Sequence, residues 1–216
     1  MGAITRSIAN NITTSGVFTS SAITNASVTG ITVLPNAEDG ITLISSQTAS
    51  ASASISFTTG LTSTYKAYKF VFVNIHPSSE VDFGFNLSTD GGSNYNVTKT
   101  SSAFRAYHNE SDSAANITYN GDNRLAQSTG LQLLSVEYIG TDNDQSFSGS
   151  LFLFNPSSTT YVKHYISRTN TYNATDYIND SNIAGYANTT SAINAIRFQM
   201  VSGNIDAGTI YMYGIK

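Results

Sequence analysis

The chain has 216 residues, 40% of them hydrophobic and 11% aromatic, which is too much apolar material for a disordered protein and enough to bury a core. Its 10 Lys and Arg form no basic run and the formal net charge is −4, so it lacks the cationic surface that nucleic-acid binding requires. It has no Cys, which excludes disulfides and thiolate metal sites, and no apolar run near the roughly 20 residues of a membrane span, so we expect no membrane insertion.

Residues 1–36 differ from the rest because they contain no Tyr, a single Phe and few charges. Ile4, Ile8 and Ile12 lie four apart, the spacing that places them on one face of a helix. One interpretation is a disordered or extended arm. The other, which we favour, is an extended or partly helical anchor that becomes ordered only against another subunit, since an isolated helix this short is marginal in water. We predict an attachment and oligomerisation arm at 1–36 and one β-domain at 37–216.

From Gly40 onward, strand patterns recur at the even spacing of a sandwich or barrel. The strand over Tyr65–Ile75 is apolar on both faces, which indicates entry into the core, with Asn74 on the face of Phe72. Residues 81–87 alternate most regularly, and we expect this strand at the edge of the core with one wet face. The other predicted strands are 41–44, 55–57, 95–98, 103–107, 131–139, 147–154, 161–166, 176–178 and 184–187.

The end of the chain predicts a half-buried hairpin, with one strand at 196–200, a turn at 202–204 and one strand at 210–213. Residues 109–130 have turn composition throughout and predict the longest loop. No segment after Gly40 sustains a helical period beyond about two turns. We therefore predict an all-β fold, an antiparallel β-sandwich with jelly-roll-like connections. Its core should contain Phe83, Phe85, Ile196, Phe198 and Met200.

No residue pattern announces chemistry. The three histidines, at positions 76, 108 and 164, lack a second His or a carboxylate at metal-ligand spacing. Asp142 and Asp144 offer oxygens to Ca²⁺, but their loop lacks the Gly and the closing Glu of an EF-hand, and a plain turn remains the alternative. Glu137 and Asp142 meeting across a groove would suit glycoside hydrolysis, although nothing marks a buried carboxylate. We predict no enzyme and no catalytic, cofactor or metal residues.

Tyrosines are frequent in the second half of the chain, and they combine an apolar face with a hydroxyl, as sugar-binding and protein-binding surfaces do. Cross-strand pairing inside the sheets is the alternative explanation. The tyrosines in question are Tyr161, Tyr165, Tyr172, Tyr177, Tyr186, Tyr211 and Tyr213.

Five segments resemble a recurring type of tail-fibre-like or head-decorating protein in bacteriophages of aquatic bacteria. They are ITRSIANNI at 4–12, YKFVF at 68–72, LFLFNP at 151–156, SGNI at 202–205 and YGIK at 213–216. The resemblance implies a β-sandwich knob behind an N-terminal attachment arm, as a homotrimer, and it carries over no catalytic residue.

The expected function is therefore that of a non-enzymatic structural protein located in the virion. The arm would attach it to capsid or tail proteins, and the knob would project outward as a fibre or as capsid decoration (cement). The alternative is a receptor-binding, lectin-like module of a tail fibre that binds host polysaccharide. The resemblance does not decide between capsid and tail.

Overall fold

The structure is a computed structural model that describes residues 40–216. The predicted arm at 1–36 and the boundary at 36–37 lie outside the described residues. Within the described range no helix has the length and apolarity needed to cross a membrane. The regular elements are the strands β1 (Ile41–Thr48), β2 (Ile55–Phe57), β3 (Ala67–Pro77), β4 (Phe83–Ser88), β5 (Lys99–Asn109), β6 (Ala115–Tyr119), β7 (Gln132–Leu133), β8 (Phe147–Phe154), β9 (Lys163–Tyr172), β10 (Tyr177–Ala187), β11 (Ala195–Met200) and β12 (Ile205–Ile215).

Two antiparallel sheets pack as a sandwich, which confirms the predicted fold class. The first has eight strands in the order β1-β12-β3-β8-β9-β10-β5-β6, and the second has four in the order β2-β11-β4-β7. Eight of these strands, ordered β1-β12-β3-β8 and β2-β11-β4-β7, form the double Greek key of a jelly roll. The remaining four, β9, β10, β5 and β6, extend the first sheet at one side only.

Phenylalanines dominate the core between the sheets. Phe83, Phe85, Ile196, Phe198 and Met200 all lie in the one buried cluster, so the predicted strand phase is confirmed. Period-two alternation on β4 and β11 directs these side chains to the same face, where they meet the inward face of β3 and β8. Ring pairs join the two sheets, among them Phe57–Phe70, Phe72–Phe83 and Phe72–Phe198.

Two predictions about individual strands are wrong: the wet face of the strand at 81–87, and the side of the strand on which Asn74 lies. β4 lies between β11 and β7 and is buried along its whole length, so it has no wet face. In β3, Asn74 adopts a left-handed conformation (φ 51°) within a register shift, and Asn74 is exposed while Ile75 is buried. The bulge reverses the face assignment at the end of this strand.

Strand pairing changes several other predicted bounds. Residues 196–200 and 210–213 do not form a hairpin, because β11 belongs to the small sheet and β12 to the large one. Residues 109–130 are not all loop, since they contain β6, which pairs with β5. Residues 177–178 and 184–187 belong to the single strand β10, which begins one residue after the predicted start at 176. Residues 95–98 form no strand, and within 131–139 only β7 is one.

Candidate functional site

The extension of the large sheet creates an inner surface that the four-stranded sheet does not cover. Residues 120–139, which are loop apart from the short edge strand β7 of the smaller sheet, lie across this surface. The Tyr165 hydroxyl donates to Gln132 Oε1 at 2.8 Å, and the Thr169 hydroxyl donates to the Leu134 carbonyl oxygen at 2.7 Å. The inner face of β9 and β10 is polar where this segment covers it, and there it meets backbone groups such as the Leu134 carbonyl.

This polar layer is buried and only partly hydrogen-bonded. Thr171, Asn179 and Ser181 are each at most 1% exposed, and their cross-strand positions make them neighbours. Thr171 Oγ1, Asn179 Nδ2 and Ser181 Oγ have no partner among the described residues. Unpartnered buried polar groups cost stability, so their concentration in one region marks it as a candidate functional region.

A cleft of about 310 Å³ opens beside this layer, and we call it the Tyr107 cleft. It lies between the inner face of β5 and β10 and residue 137 of the covering loop. The rings of Tyr107 and Tyr177 are 5.8 Å apart at an angle of 57°, so they form a tilted aromatic wall. The cleft is lined by Arg105, Tyr107, Ala114, Glu137, Asn173, Thr175, Tyr177 and Asn179.

Arg105 connects the groups of the Tyr107 cleft. One of its terminal nitrogens, Nη1, is 2.6 Å from Glu137 Oε1 and also donates to Asn179 Oδ1 at 3.1 Å. The guanidinium carbon lies 4.9 Å from the centre of the Tyr107 ring, a cation–π distance. The Arg105 Nε group is buried and has no hydrogen-bond partner within residues 40–216. The arginine is therefore held by a carboxylate, an amide and an aromatic face at once.

Glu137 reaches Arg105 from a strained backbone position. Its φ is 64°, in the left-handed region that non-glycine residues rarely adopt and that costs about 1–3 kcal/mol. Its side chain is about half exposed, so burial of the glutamate does not offset that cost. Strain of this kind is found preferentially where geometry serves binding or catalysis.

A second carboxylate lies close behind the covering loop. Asp82 accepts a hydrogen bond from the Ser135 hydroxyl at 2.8 Å. Burial raises the pKa of Asp82 from 3.8 to about 6; the Ser135 hydrogen bond lowers it, and the negative charges of Glu137 and Asp122 raise it further. The region beside the Tyr107 cleft therefore changes charge near pH 6.

The outer face of the large sheet carries an aromatic surface. Cross-strand partners place Leu43, Tyr213, Lys69, Phe152 and Ile166 in one row across β1, β12, β3, β8 and β9. Leu43 is 52% exposed and Ile166 is 51% exposed. We define the aromatic face as Leu43, Phe152, Phe154, Ile166, Tyr211 and Tyr213.

The aromatic side chains of this face are ordered against one another. Tyr211 stacks on Tyr213 with ring centres 6.3 Å apart, and Phe152 stacks on Phe154 at 6.2 Å. The Lys69 amine lies 5.2 Å from the Phe152 ring centre, so the one cation in the row is laid over an aromatic ring. The aromatic face therefore consists mainly of apolar and aromatic side chains and carries little charge.

The histidines are spread over separate places. His108 pairs with Asp112 at 2.9 Å, and the His164 ring contacts Tyr186. Among residues 40–216 no group of three His, Asp or Glu side chains is arranged to hold a metal ion. His76 lies 3.4 Å from the backbone oxygen of Asp142, beside the loop considered for Ca²⁺.

The loop with Asp142 and Asp144 has the hydrogen bonds of a turn. The backbone N–H of Gln145 donates to the Asp142 carbonyl oxygen at 2.9 Å, and the Asp142 N–H donates to Gln145 Oε1 at 3.1 Å. The two carboxylates considered for glycoside hydrolysis are in different settings, since Glu137 pairs with Arg105 and Asp142 belongs to this turn.

The tyrosines singled out from the sequence do not share one surface. Tyr165 is fully buried in the core, where its ring packs against Phe85, so for this tyrosine the alternative of packing inside the sandwich holds. Tyr172 donates to carboxylates at the end of the β9–β10 hairpin, and Tyr186 contacts His164. Of the rest, Tyr161 is 71% exposed, Tyr177 lines the Tyr107 cleft, and Tyr211 and Tyr213 belong to the aromatic face.

Sequence reasoning missed Arg105, Tyr107 and Asn179 as site residues. The pairing of β5 with β10 sets Asn179 opposite Tyr107, and no local pattern announces a contact between residues more than 70 positions apart. An isolated Arg–x–Tyr in a strand was the one available signal, and it is weak. No protein-family model, curated protein or solved structure matches this chain.

Proposed function

We propose that this chain is a non-enzymatic structural protein of a bacteriophage virion, in which the sandwich packs against copies of itself as a homotrimer. Residues 1–36 would attach it to capsid or tail proteins, so that the sandwich projects outward as a fibre knob or decorates the capsid. The observation that carries the proposal is the aromatic face.

An exposed surface of this kind favours protein contact. Soluble monomers rarely expose contiguous apolar patches larger than a few hundred Å², and larger ones mark interaction sites. The row from Leu43 to Ile166 crosses five neighbouring strands, which are spaced ~4.8 Å apart in a sheet. Because Lys69 is its single charged member, two copies can bring these faces together with little electrostatic repulsion.

The jelly-roll topology agrees with the proposal by analogy. Jelly rolls recur in viral capsid proteins and in lectins, and one fold serves many functions. The threefold symmetry comes only from the resemblance of the sequence to phage proteins. The Tyr107 cleft favours the second candidate function, a receptor-binding module that recognises host polysaccharide.

Mass photometry of the full chain at low and high salt tests self-association. We expect a trimer whose proportion hardly changes with salt, because screening weakens ion pairs and leaves apolar burial nearly intact. Ile166→Glu places a charge in the aromatic face and should yield monomers. Ile117→Glu is the matched control, since Ile117 is an exposed residue of the edge strand β6, four strands from β8 in the sheet order. A monomeric wild type, or an Ile166→Glu trimer, contradicts the proposal.

Location on the particle needs a separate experiment. Cryo-electron microscopy of particles produced with a tagged copy of this chain should show the tag on the capsid or the tail. Particles without the tag, from cells in which the tagged chain is well expressed, contradict a virion role.

A further inference from the structure

We infer that the Tyr107 cleft binds a neutral saccharide, one or two sugar units in size. The inference deepens the receptor-binding candidate of the proposed function by naming the site and the ligand class. It is drawn from the charge balance, the aromatic wall and the preformed geometry of the cleft.

The charge balance favours an uncharged ligand. Among the described residues that line the cleft, Arg105 is the one cation and lies 2.6 Å from Glu137, so their charges balance. A phosphate or carboxylate would have to compete with Glu137 for Arg105 and would be repelled by the glutamate. A neutral ligand meets neither penalty.

The polar groups suit hydroxyls, which both donate and accept hydrogen bonds. Glu137 offers carboxylate oxygens as acceptors, and its side chain is about half exposed. Arg105 offers donors, and Asn173, Thr175 and Asn179 add amide and hydroxyl groups to the lining. A ligand with several hydroxyls can offer partners to donors and acceptors together, whereas an apolar ligand would remove these groups from water and offer none.

The aromatic wall suits the apolar C–H face of a sugar ring. Tyr177 is half-buried and its ring stands at 57° to that of Tyr107, so the two rings cannot close on each other in a parallel stack. Tyrosine combines an apolar ring with a hydroxyl that can stay in contact with water. Its ring can pack against the C–H face of a sugar while neighbouring polar groups form hydrogen bonds to the sugar hydroxyls. Arg105 already covers part of the Tyr107 ring, which leaves Tyr177 as the main contact.

The cleft is preformed. Asn173 Oδ1 accepts hydrogen bonds from the backbone N–H groups of Thr175 and Tyr177 at 3.1 and 3.0 Å, which fixes the hairpin end that carries Tyr177. Arg105 ties Glu137 to Asn179 across the cleft. A site that is rigid before binding loses less entropy when the ligand arrives. Its volume of about 310 Å³ is at the lower end of small-molecule sites, as expected for one or two sugar units.

Ligand-observed NMR on the full chain tests the inference with glucose, galactose, mannose and N-acetylglucosamine as probes, and with N-acetylneuraminic acid and inorganic phosphate as charged comparators. We expect at least one neutral sugar to bind with a Kd of about 1–10 mM and the comparators not to bind. Tyr177→Ala should raise the Kd for that sugar about tenfold or more. Tyr161→Ala is the matched control, an exposed tyrosine outside the cleft, and should leave the affinity unchanged.

Glu137→Gln supplies a second variant at a half-exposed position, so the test does not depend on the folding of Tyr177→Ala. Removing the glutamate charge leaves Arg105 without its ion-pair partner. The variant should therefore bind the neutral sugar more weakly and begin to bind phosphate. The inference is overturned if no neutral sugar binds below about 50 mM, if only the charged comparators bind, or if both variants bind as the wild type does.

Self-association, measured on the same samples, separates this inference from the structural role. A trimer that binds no neutral sugar refutes the cleft alone. A monomer that binds a neutral sugar with the expected response to Tyr177→Ala refutes the trimer and supports the cleft.

Discussion

Phe198→Ala is the most direct test of the packing between the two sheets. Phe198 is 0% exposed and lies at the centre of the aromatic core. Truncating a buried Phe to Ala costs about 3–5 kcal/mol, the larger values applying where the surroundings cannot collapse into the cavity. Its ring lies 5.2–6.4 Å from those of Phe57, Phe70, Phe72, Phe83 and Phe85.

The five neighbouring rings belong to strands of both sheets, which the hydrogen-bond ladders hold in place, so we expect a loss near 5 kcal/mol. A domain of this size has about 5–15 kcal/mol of stability in total, so the variant should unfold at much lower urea. Urea denaturation followed by circular dichroism gives the free energy of unfolding.

Arg197→Ala is the neighbouring control on β11. Arg197 has the opposite strand phase, is half-buried, and lies over the Tyr95 ring at 4.4 Å. A cation–π contact is worth about 0.5–1 kcal/mol where it is exposed and about 2 kcal/mol where it is desolvated, so this half-buried control should cost about 1–2 kcal/mol, well below the loss for Phe198→Ala. Equal losses for the two variants would refute the packing described here.

Three further predictions concern buried charges and the domain boundary, and thermal unfolding followed by circular dichroism at several pH values measures each of them. Burial raises the pKa of Asp82 from 3.8 to about 6, so the folded state loses stability as the pH rises through that interval. The free energy of unfolding of Asp82→Asn should therefore exceed that of the wild type by on the order of 3 kcal/mol at pH 7.5 and by almost nothing at pH 4. Burial lowers the pKa of Lys99 from 10.5 to about 8, so the unfolded state binds more protons between these values; the wild type should gain stability from pH 8 to 10, and Lys99→Met should not. A chain that begins at residue 37 should keep a cooperative melt and a β-rich spectrum, since residues 40–216 hold the buried cluster around Phe83 and Phe198; loss of folding would show that the arm belongs to the domain.

The strands with strict alternation or a continuous apolar run were the most predictable from sequence. Residues 55–57 and 147–154 have the predicted bounds, and the core phase of Phe83 and Phe198 is correct. In these segments the burial of one face contributes most of the stabilisation, and the alternation of apolar and polar residues shows directly which face is buried. The same signal cannot say which strands share a sheet, so the final two strands were wrongly joined as a hairpin.

The second face of β4 shows why the remaining burial was not predictable. Asn86 points away from the phenylalanine core and looks like a wet residue in the sequence, yet it is only 7% exposed. The Lys99 amine donates to Asn86 Oδ1 at 2.6 Å, and both side chains are buried. The hydrogen bond gives both buried groups a partner, and no periodicity in the sequence reveals the pairing.

The candidate site was hidden for a related reason. Arg105 and Glu137 are 32 positions apart, and they meet because the loop after β6 folds back over the sheet that β5 extends. Tyr107 and Asn179 meet through the β5–β10 register. None of these residues stands out in its own segment as part of a site, because the site forms only when distant segments come together in the fold.

The same alternation that fixes the core also separates the two candidate surfaces. On β9, Ile166 points outward to the aromatic face, while Thr169 and Thr171 point inward to the polar layer beside the Tyr107 cleft. A jelly roll of four-stranded sheets would have to bury that inner face against apolar side chains. By extending one sheet only, the chain keeps an inner face that a loop covers incompletely. The proposed contacts between copies would use the outer face and the proposed saccharide the inner face, so neither interaction would obstruct the other.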